Sequence, residues 1–211
     1  MTGTVDFDRP STRQLPAAGQ SHVGSFVVLN CRMAKRLFLA LELPGALTRA
    51  LAALDPHIPG LRWLPARSLH LTLAFLGNVE TPDGESLIEA LRSVHAEPFD
   101  LTVQGLTRFG GRGRPVIMAA IVPEPPPEIF YLHTSVQTIV RSTGLPTDAR
   151  TFRPHVTLGR GKNCPAGLLQ WFLHQHAGTI FGAFHVDSLG LFSSELTPSG
   201  THYTMEFRKT F

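Results

Sequence analysis

A chain of 211 residues, 43% hydrophobic and 17% charged, is long enough to bury a real core and too apolar to remain disordered. Its formal net charge of +3 permits a nucleotide or nucleic-acid ligand without establishing one. Two cysteines without a C-x-x-C spacing argue against a disulfide framework, and no run of about 18 apolar residues marks a membrane span, so a cytoplasmic protein is expected.

Residues 1–32 lack a signal-peptide layout and any sustained periodicity, and are expected to form a poorly ordered extension. Met33 would be a natural alternative start, because the first convincing strand, Lys35 to Leu41, follows it directly. Pro44 suits the first turn of a helix carrying Leu47, Leu51 and Leu54. Leu69 to Leu76 alternates as a strand, with His70 and Thr72 on one face and Leu69, Leu71 and Leu73 on the other; Gly77-Asn78 is expected to end it. Thr81-Pro82 opens a helix with a stripe of Leu87, Ile88, Leu91 and Val94. Phe99, Leu101 and Val103 alternate as a strand, residues 110–114 read as a turn, and Val116 to Val122 as another strand. Three prolines lead into a helix with Ile129, Leu132, Val136, Ile139 and Val140, closed by Gly144. Phe152 to Leu158 is a second alternating strand, Pro165 to His174 a short helix, and Val186 to Phe192 and His202 to Phe207 the closing strands.

The order of strands and helices runs through the chain twice, with His70 and His155 at matching places. A weak internal duplication of this kind predicts an α+β domain over 33–211, with two pseudo-symmetric lobes of antiparallel sheet and flanking helices around a central cleft.

Both histidines lie in His-x-Thr-Leu, His70-Leu71-Thr72-Leu73 and His155-Val156-Thr157-Leu158. Side chains at i and i+2 of a strand share a face, so each strand offers an imidazole and a hydroxyl while apolar residues anchor the other face. Two imidazoles suit phosphoryl transfer: one takes a proton from the attacking oxygen, the other gives one to the leaving oxygen. Threonine hydroxyls donate to non-bridging phosphate oxygens. One His-x-Thr is close to noise; two in matching strand contexts are not.

The sequence resembles the two-histidine (2H) phosphoesterase superfamily, specifically the bacterial and archaeal RNA 2′,3′-cyclic phosphodiesterases also called 2′-5′ RNA ligases. The resemblance spans residues 33–211 and rests on Arg36-Leu37-Phe38-Leu39-Ala40-Leu41 with Leu43-Pro44, on Trp63-Leu64-Pro65 leading to Leu69 through Gly77, on Phe152 through Arg160, and on Leu191, Ser193, Ser194, Gly200 and Tyr203 near the end. It implies hydrolysis of RNA or nucleotide 2′,3′-cyclic phosphate ends to 2′-phosphates by a monomer, without metal or cofactor, with reverse 2′-5′ ligation as a second capacity. His70, Thr72, His155 and Thr157 match the family's motifs position by position, and Arg160 matches the arginine that follows the second motif; His70 is expected as general acid and His155 as general base, roles that the pseudo-symmetry would allow to be exchanged, with Thr72, Thr157 and Arg160 on the phosphate. Two rivals stand beside this: a module that binds nucleotides without turnover, and the same chemistry on another phosphodiester.

Other residues carry less. His174-Gln175-His176 is expected in a solvated loop, His185 and His202 at the cleft or in solvent, Trp63 and Phe75 in packing, and Arg112 and Arg114 in the turn.

Overall fold

The computed structural model describes residues 33–110, 116–148, 150–198 and 200–211. The expected N-terminal extension and the turn bearing Arg112 and Arg114 lie outside the described residues. One compact unit runs Arg32–Phe211. No helix among the described residues is long and apolar enough to cross a membrane.

The elements follow in the order β1 (Ala34–Glu42), α1 (Gly45–Ala52), β2 (Leu61–Trp63), β3 (His70–Glu80), α2 (Thr81–Leu91), β4 (Phe99–Gln104), β5 (Leu106–Phe109), β6 (Val116–Ile121), α3 (Pro127–Ser142), β7 (His155–Gly161), α4 (Ala166–Gln175), β8 (Ile180–Val186), β9 (Ser188–Thr197) and β10 (Gly200–Thr210). A single 3₁₀ turn, Ala66–Ser68, precedes β3. The helices start where prolines preset the backbone, at Pro44, Pro82 and Pro127. Asp83 and Glu128 place negative charge in first turns, where the helix dipole favours it. Gly144, at φ +76°, closes α3 in a conformation that costs other residues a steric penalty.

An eight-stranded sheet carries the order β10-β9-β1-β3-β7-β6-β5, with β2 on β7 as well; β4 and β8 form a separate pair. All registered pairings are antiparallel. The large sheet is two smaller ones joined at a single residue pair, Leu71 with Val156. The α+β architecture with two antiparallel lobes is thus as expected. The repeat has a form the sequence does not display. β1-α1-β3-α2-β4-β5 and β6-α3-β7-α4-β8-β9 are equivalent, and each closing strand crosses over: β5 pairs with β6, and β9 with β1. The two equivalents β3 and β7 meet each other, as do β4 and β8.

Leu71, Val156, Leu158, Leu87, Leu91, Ile129, Leu132 and Val136 are all at most 1% exposed and belong to one continuous core. Each such aliphatic side chain contributes about 1.5–3 kcal/mol by leaving water. That core fixes the backbone of both motif strands from behind.

Some expected boundaries move. β3 does not end at Gly77-Asn78 but pairs with β1 out to Ala34 opposite Glu80. Gly77, at φ +73°, absorbs a bulge there, which lets the strand continue. Residues 152–154 are loop, and β7 begins at His155. The expected strand Val186 to Phe192 divides at Asp187 into the end of β8 and the start of β9. Strands β2 and β5 are too short for periodicity to reveal them.

Candidate active site

Both histidines occupy the first position of their strands. His70 Nδ1–H donates to the Ser68 carbonyl at 3.0 Å, and His155 Nδ1–H to the Arg153 carbonyl at 2.7 Å. The two bonds are the same, from a ring to the carbonyl two residues back. A carbonyl oxygen only accepts, so Nδ1 carries the proton in both rings and Nε2 is left for chemistry.

The register is duplicated too. Along β3, His70, Leu71 and Thr72 face Glu42, Leu41 and Ala40; then Leu73 is skipped and Ala74 faces Leu39. Along β7, His155, Val156 and Thr157 face Ile121, Ala120 and Ala119; then Leu158 is skipped and Gly159 faces Met118. Each motif strand therefore bulges at the leucine after its threonine. A bulge inserts one residue and reverses the alternation beyond it. Leu73 and Ala74 are both buried, as are Leu158 and Gly159, and the next residue in each strand, Phe75 or Arg160, turns out to the exposed side. Phe75 is 50% exposed, which corrects the expectation that it packs in the core. Arg160 gains by the same shift the face of His155 and Thr157.

The pair Leu71–Val156 brings the strands together antiparallel, directing Thr72 toward His155 and His70 toward Thr157. Thr72, His155, Thr157 and Arg160 line one cavity of about 350 Å³, with Phe75 and Phe109. His70 lines a second cavity of about 380 Å³ with Phe38 and Tyr203. Four of the five residues singled out in the sequence share one cavity, and the fifth, His70, lines the other while lying close enough to feel the charges of Arg160 and His155.

The two imidazoles differ in surroundings. His70 packs against Phe38 at 4.7 Å and Tyr203 at 5.2 Å between ring centres, whereas His155 meets Phe109 at 5.0 Å. Burial among these rings, only partly offset by the Ser68 carbonyl, holds the His70 pKa down at about 4; the charges of Arg160 and His155 push the same way. His70 is therefore neutral near pH 7.

Several lining residues carried no clear sequence signal. Arg153 lends its carbonyl to His155 and lines the cavity. Arg150 is fixed by Asp148, with Nε to Oδ2 at 2.9 Å, and this pair borders the same cavity. His133 stacks on Phe152 at 4.0 Å, and burial lowers its pKa. Asp148, Arg150 and Arg153 lie on the loop just before the second motif and His133 on α3, and only folding shows that they border the same cavity. Trp63 packs as expected: its Nε1–H donates to the Leu51 carbonyl at 3.2 Å and its ring meets Phe172. His185 pairs with Asp100 at 2.8 Å on the separate β4–β8 pair, His202 is exposed on β10, and His176 packs on Phe172.

Comparison with known proteins points in one direction. The family described as the 2′-5′ RNA ligase superfamily matches residues 43–197. A protein of Aeropyrum pernix named RNA 2′,3′-cyclic phosphodiesterase is 32% identical over 139 residues, 64% of this chain and 78% of its own. One of the same name from Thermus thermophilus is 31% identical over 184 residues, 81% of this chain and 87% of its own. Among solved structures, E. coli LigT complexed with 3′-AMP superposes with a TM-score of 0.70 at 25% identity, covering 85% of this chain and 99% of that one.

Proposed function

Because the chain belongs to the 2′-5′ RNA ligase superfamily, we propose that it opens the 2′,3′-cyclic phosphate at an RNA or nucleotide end to a 2′-phosphomonoester. The observation that carries this reading is the duplicated imidazole geometry: two rings held by Nδ1, each with Nε2 available, on strands that also present Thr72, Thr157 and Arg160. The relatives named as RNA 2′,3′-cyclic phosphodiesterases support the substrate class.

The phosphate sits between the two imidazoles, with Thr72 and Thr157 donating to its non-bridging oxygens and the Arg160 guanidinium facing its charge. His155 Nε2 takes a proton from water as the water oxygen bonds to phosphorus. The bond from phosphorus to O3′ breaks, and His70 Nε2–H gives its proton to O3′. The products are a 2′-phosphate and a free 3′-hydroxyl. The arginine and two imidazoles supply the charge and proton transfers, and the mechanism asks for no metal ion.

The acid role of His70 depends on substrate. A ring held near pKa 4 by its surroundings has no Nε2 proton to give at pH 7. A phosphodiester anion beside it favours the charged ring and raises that value, so His70 takes up its proton as substrate arrives. With a 5′-hydroxyl in place of water as the attacking oxygen, and O3′ again leaving, the same groups give 2′-5′ ligation.

The test is incubation with an oligonucleotide ending in 2′,3′-cyclic phosphate, in excess chelator, with the product terminus identified. A 2′-phosphate is expected. A 3′-phosphate, or strict dependence on an added divalent ion, would overturn the mechanism. Binding without turnover of any cyclic phosphate would make the protein a nucleotide-binding module instead.

A further inference from the structure

The carbonyls that accept from the two motif histidines are held in different ways. On the first side the acceptor belongs to Ser68, which is buried in the 3₁₀ turn Ala66–Ser68. Backbone bonds close that turn: Ser68 N–H donates to the Pro65 carbonyl at 2.8 Å, and Leu69 N–H to the Ala66 carbonyl at 3.2 Å. On the second side the acceptor belongs to exposed Arg153, in a segment, 150–154, that is neither helix nor strand. This segment is gripped by its side chain Phe152. His133 lies flat on the Phe152 ring, with centres 4.0 Å apart and planes at 7°, and Phe130 stands edge-on to it at 6.1 Å and 85°. Phe130 and His133 are three residues apart on α3, so one helix face presents both. Helix α3 itself is anchored in the core through Ile129, Leu132, Val136 and Val140. Gln137, one turn further on and 5% exposed, fixes the imidazole: its Nε2–H donates to His133 Nε2 at 3.2 Å. An amide nitrogen only donates, so His133 Nε2 accepts and the ring is neutral. Gln137 Oε1 has no partner among the described residues, which leaves the bond to His133 as the contact that explains a buried amide there.

We infer that His133 is a positioning residue for the imidazole of His155. Its ring, stacked on Phe152, holds the adjoining Arg153 carbonyl at the place where it accepts His155 Nδ1–H at 2.7 Å. The inference rests on the function proposed above, whichever of the two proton-transfer roles His155 takes. The carbonyl matters because it selects the tautomer: with it in place, Nδ1 carries the proton and Nε2 is left for chemistry. Without it the two tautomers compete and the ring is free to turn, and proton transfer is sensitive to both. The first motif needs no such clamp, since a turn closed by its own backbone already fixes Ser68. The two halves thus reach the same histidine geometry by different means, one local in sequence and one through a side-chain stack from α3.

Isotope labelling of the histidine nitrogens in the full chain gives the tautomer of each ring by NMR. Wild-type protein should show the proton on Nδ1 at both His70 and His155. His133→Ala should leave His70 unchanged, mix the tautomers of His155, and lower kcat by about 10–100-fold with KM within about twofold of wild type. His133→Phe combined with Gln137→Leu keeps a stacked ring and leaves no unpartnered amide, and should restore both readouts. Phe152→Leu removes the same stack from the other side and replaces His133→Ala if that variant does not fold. A folded variant that keeps His155 in one tautomer and wild-type kcat would overturn the inference. An equal change at His70 would do the same, because it marks general loosening. So would failure of the phenylalanine variant to rescue, because it gives the His133 imidazole a chemical part of its own. Failure of the underlying function looks different: wild-type protein would then hydrolyse no cyclic phosphate, while the His155 tautomer still reports on the clamp.

Discussion

Leu71 and Val156 form the one registered backbone pair between the two motif strands, and both side chains are fully buried. Through this pair each lobe fixes the other lobe's histidine, because the residues flanking it are His70 and Thr72 on one side and His155 and Thr157 on the other. Leu71→Ala should cost about 2–5 kcal/mol, as for other buried leucines. It should also lower kcat in the fraction that remains folded, since proton transfer depends on the distance between strands. Denaturant melts and single-turnover rates separate the two effects; full activity in a destabilised variant would show that the pair serves folding alone.

Removing either imidazole of the pair is the direct test of chemistry. His70→Ala and His155→Ala should each reduce turnover by about 10²–10⁴-fold, the usual worth of a positioned acid or base. Both are half-buried at strand starts, so circular dichroism should report an unchanged fold. A well-folded variant of either kind that keeps wild-type activity would remove the two-histidine mechanism.

The lowered pKa of His70 has a consequence for stability. With a folded value of about 4 against 6.5 in the unfolded chain, the unfolded state alone binds this proton between those values. Stability is unaffected by this group above pH 6.5 and falls as pH drops from 6.5 toward 4. The full shift corresponds to about 3 kcal/mol, and the partly open ring edge reduces that to about 1–2 kcal/mol. Urea midpoints across this range should fall less steeply for His70→Gln than for wild type; parallel slopes would contradict the assignment.

Substrate-linked protonation is measurable by calorimetry. Binding of adenosine 2′-phosphate at pH 6.5 in two buffers of different ionisation enthalpy should show net proton uptake, and His70→Gln should abolish most of it. If uptake is instead lost only in His155→Gln, the acid and base roles are exchanged.

Gly159 lies where β2 packs tightly on β7: a Cβ there would stand 2.9 Å from Trp63 Cε3 and 3.1 Å from the Arg62 carbonyl oxygen. Trp63 is held by its own hydrogen bond to Leu51 and cannot easily yield. Gly159→Ala should therefore destabilise by about 1–3 kcal/mol through overpacking. Thermal unfolding of the variant settles the sign; an unchanged midpoint would mean that β2 shifts freely.

How much of this was legible beforehand depends on the range of each cause. His-x-Thr-Leu announces itself because strand alternation is a local property with period two, and the apolar partners Leu71, Leu73, Val156 and Leu158 sit in the same few residues. The helices were legible from proline and the 3.6 period. Phe75 was misread because the alternation was carried through a bulge, and a bulge is created by the pairing of β3 with β1, not by the residues of β3 alone.

The sequence by itself determined the two imidazoles, their hydroxyl companions and the apolar anchors behind them. Tertiary structure alone decided three further things. It exchanged β5 and β9 between lobes, since a strand's partner depends on which edge is open and not on its own composition. It reversed the phase after Leu73 and Leu158, giving Phe75 and Arg160 to the cleft. It made the histidines unequal, enclosing His70 between Phe38 and Tyr203, residues 32 positions before it and 133 after it in the chain. Burial is a sum over contacts from distant segments, so no local pattern encodes it, and the difference between two nearly identical motifs appears only when the chain has folded.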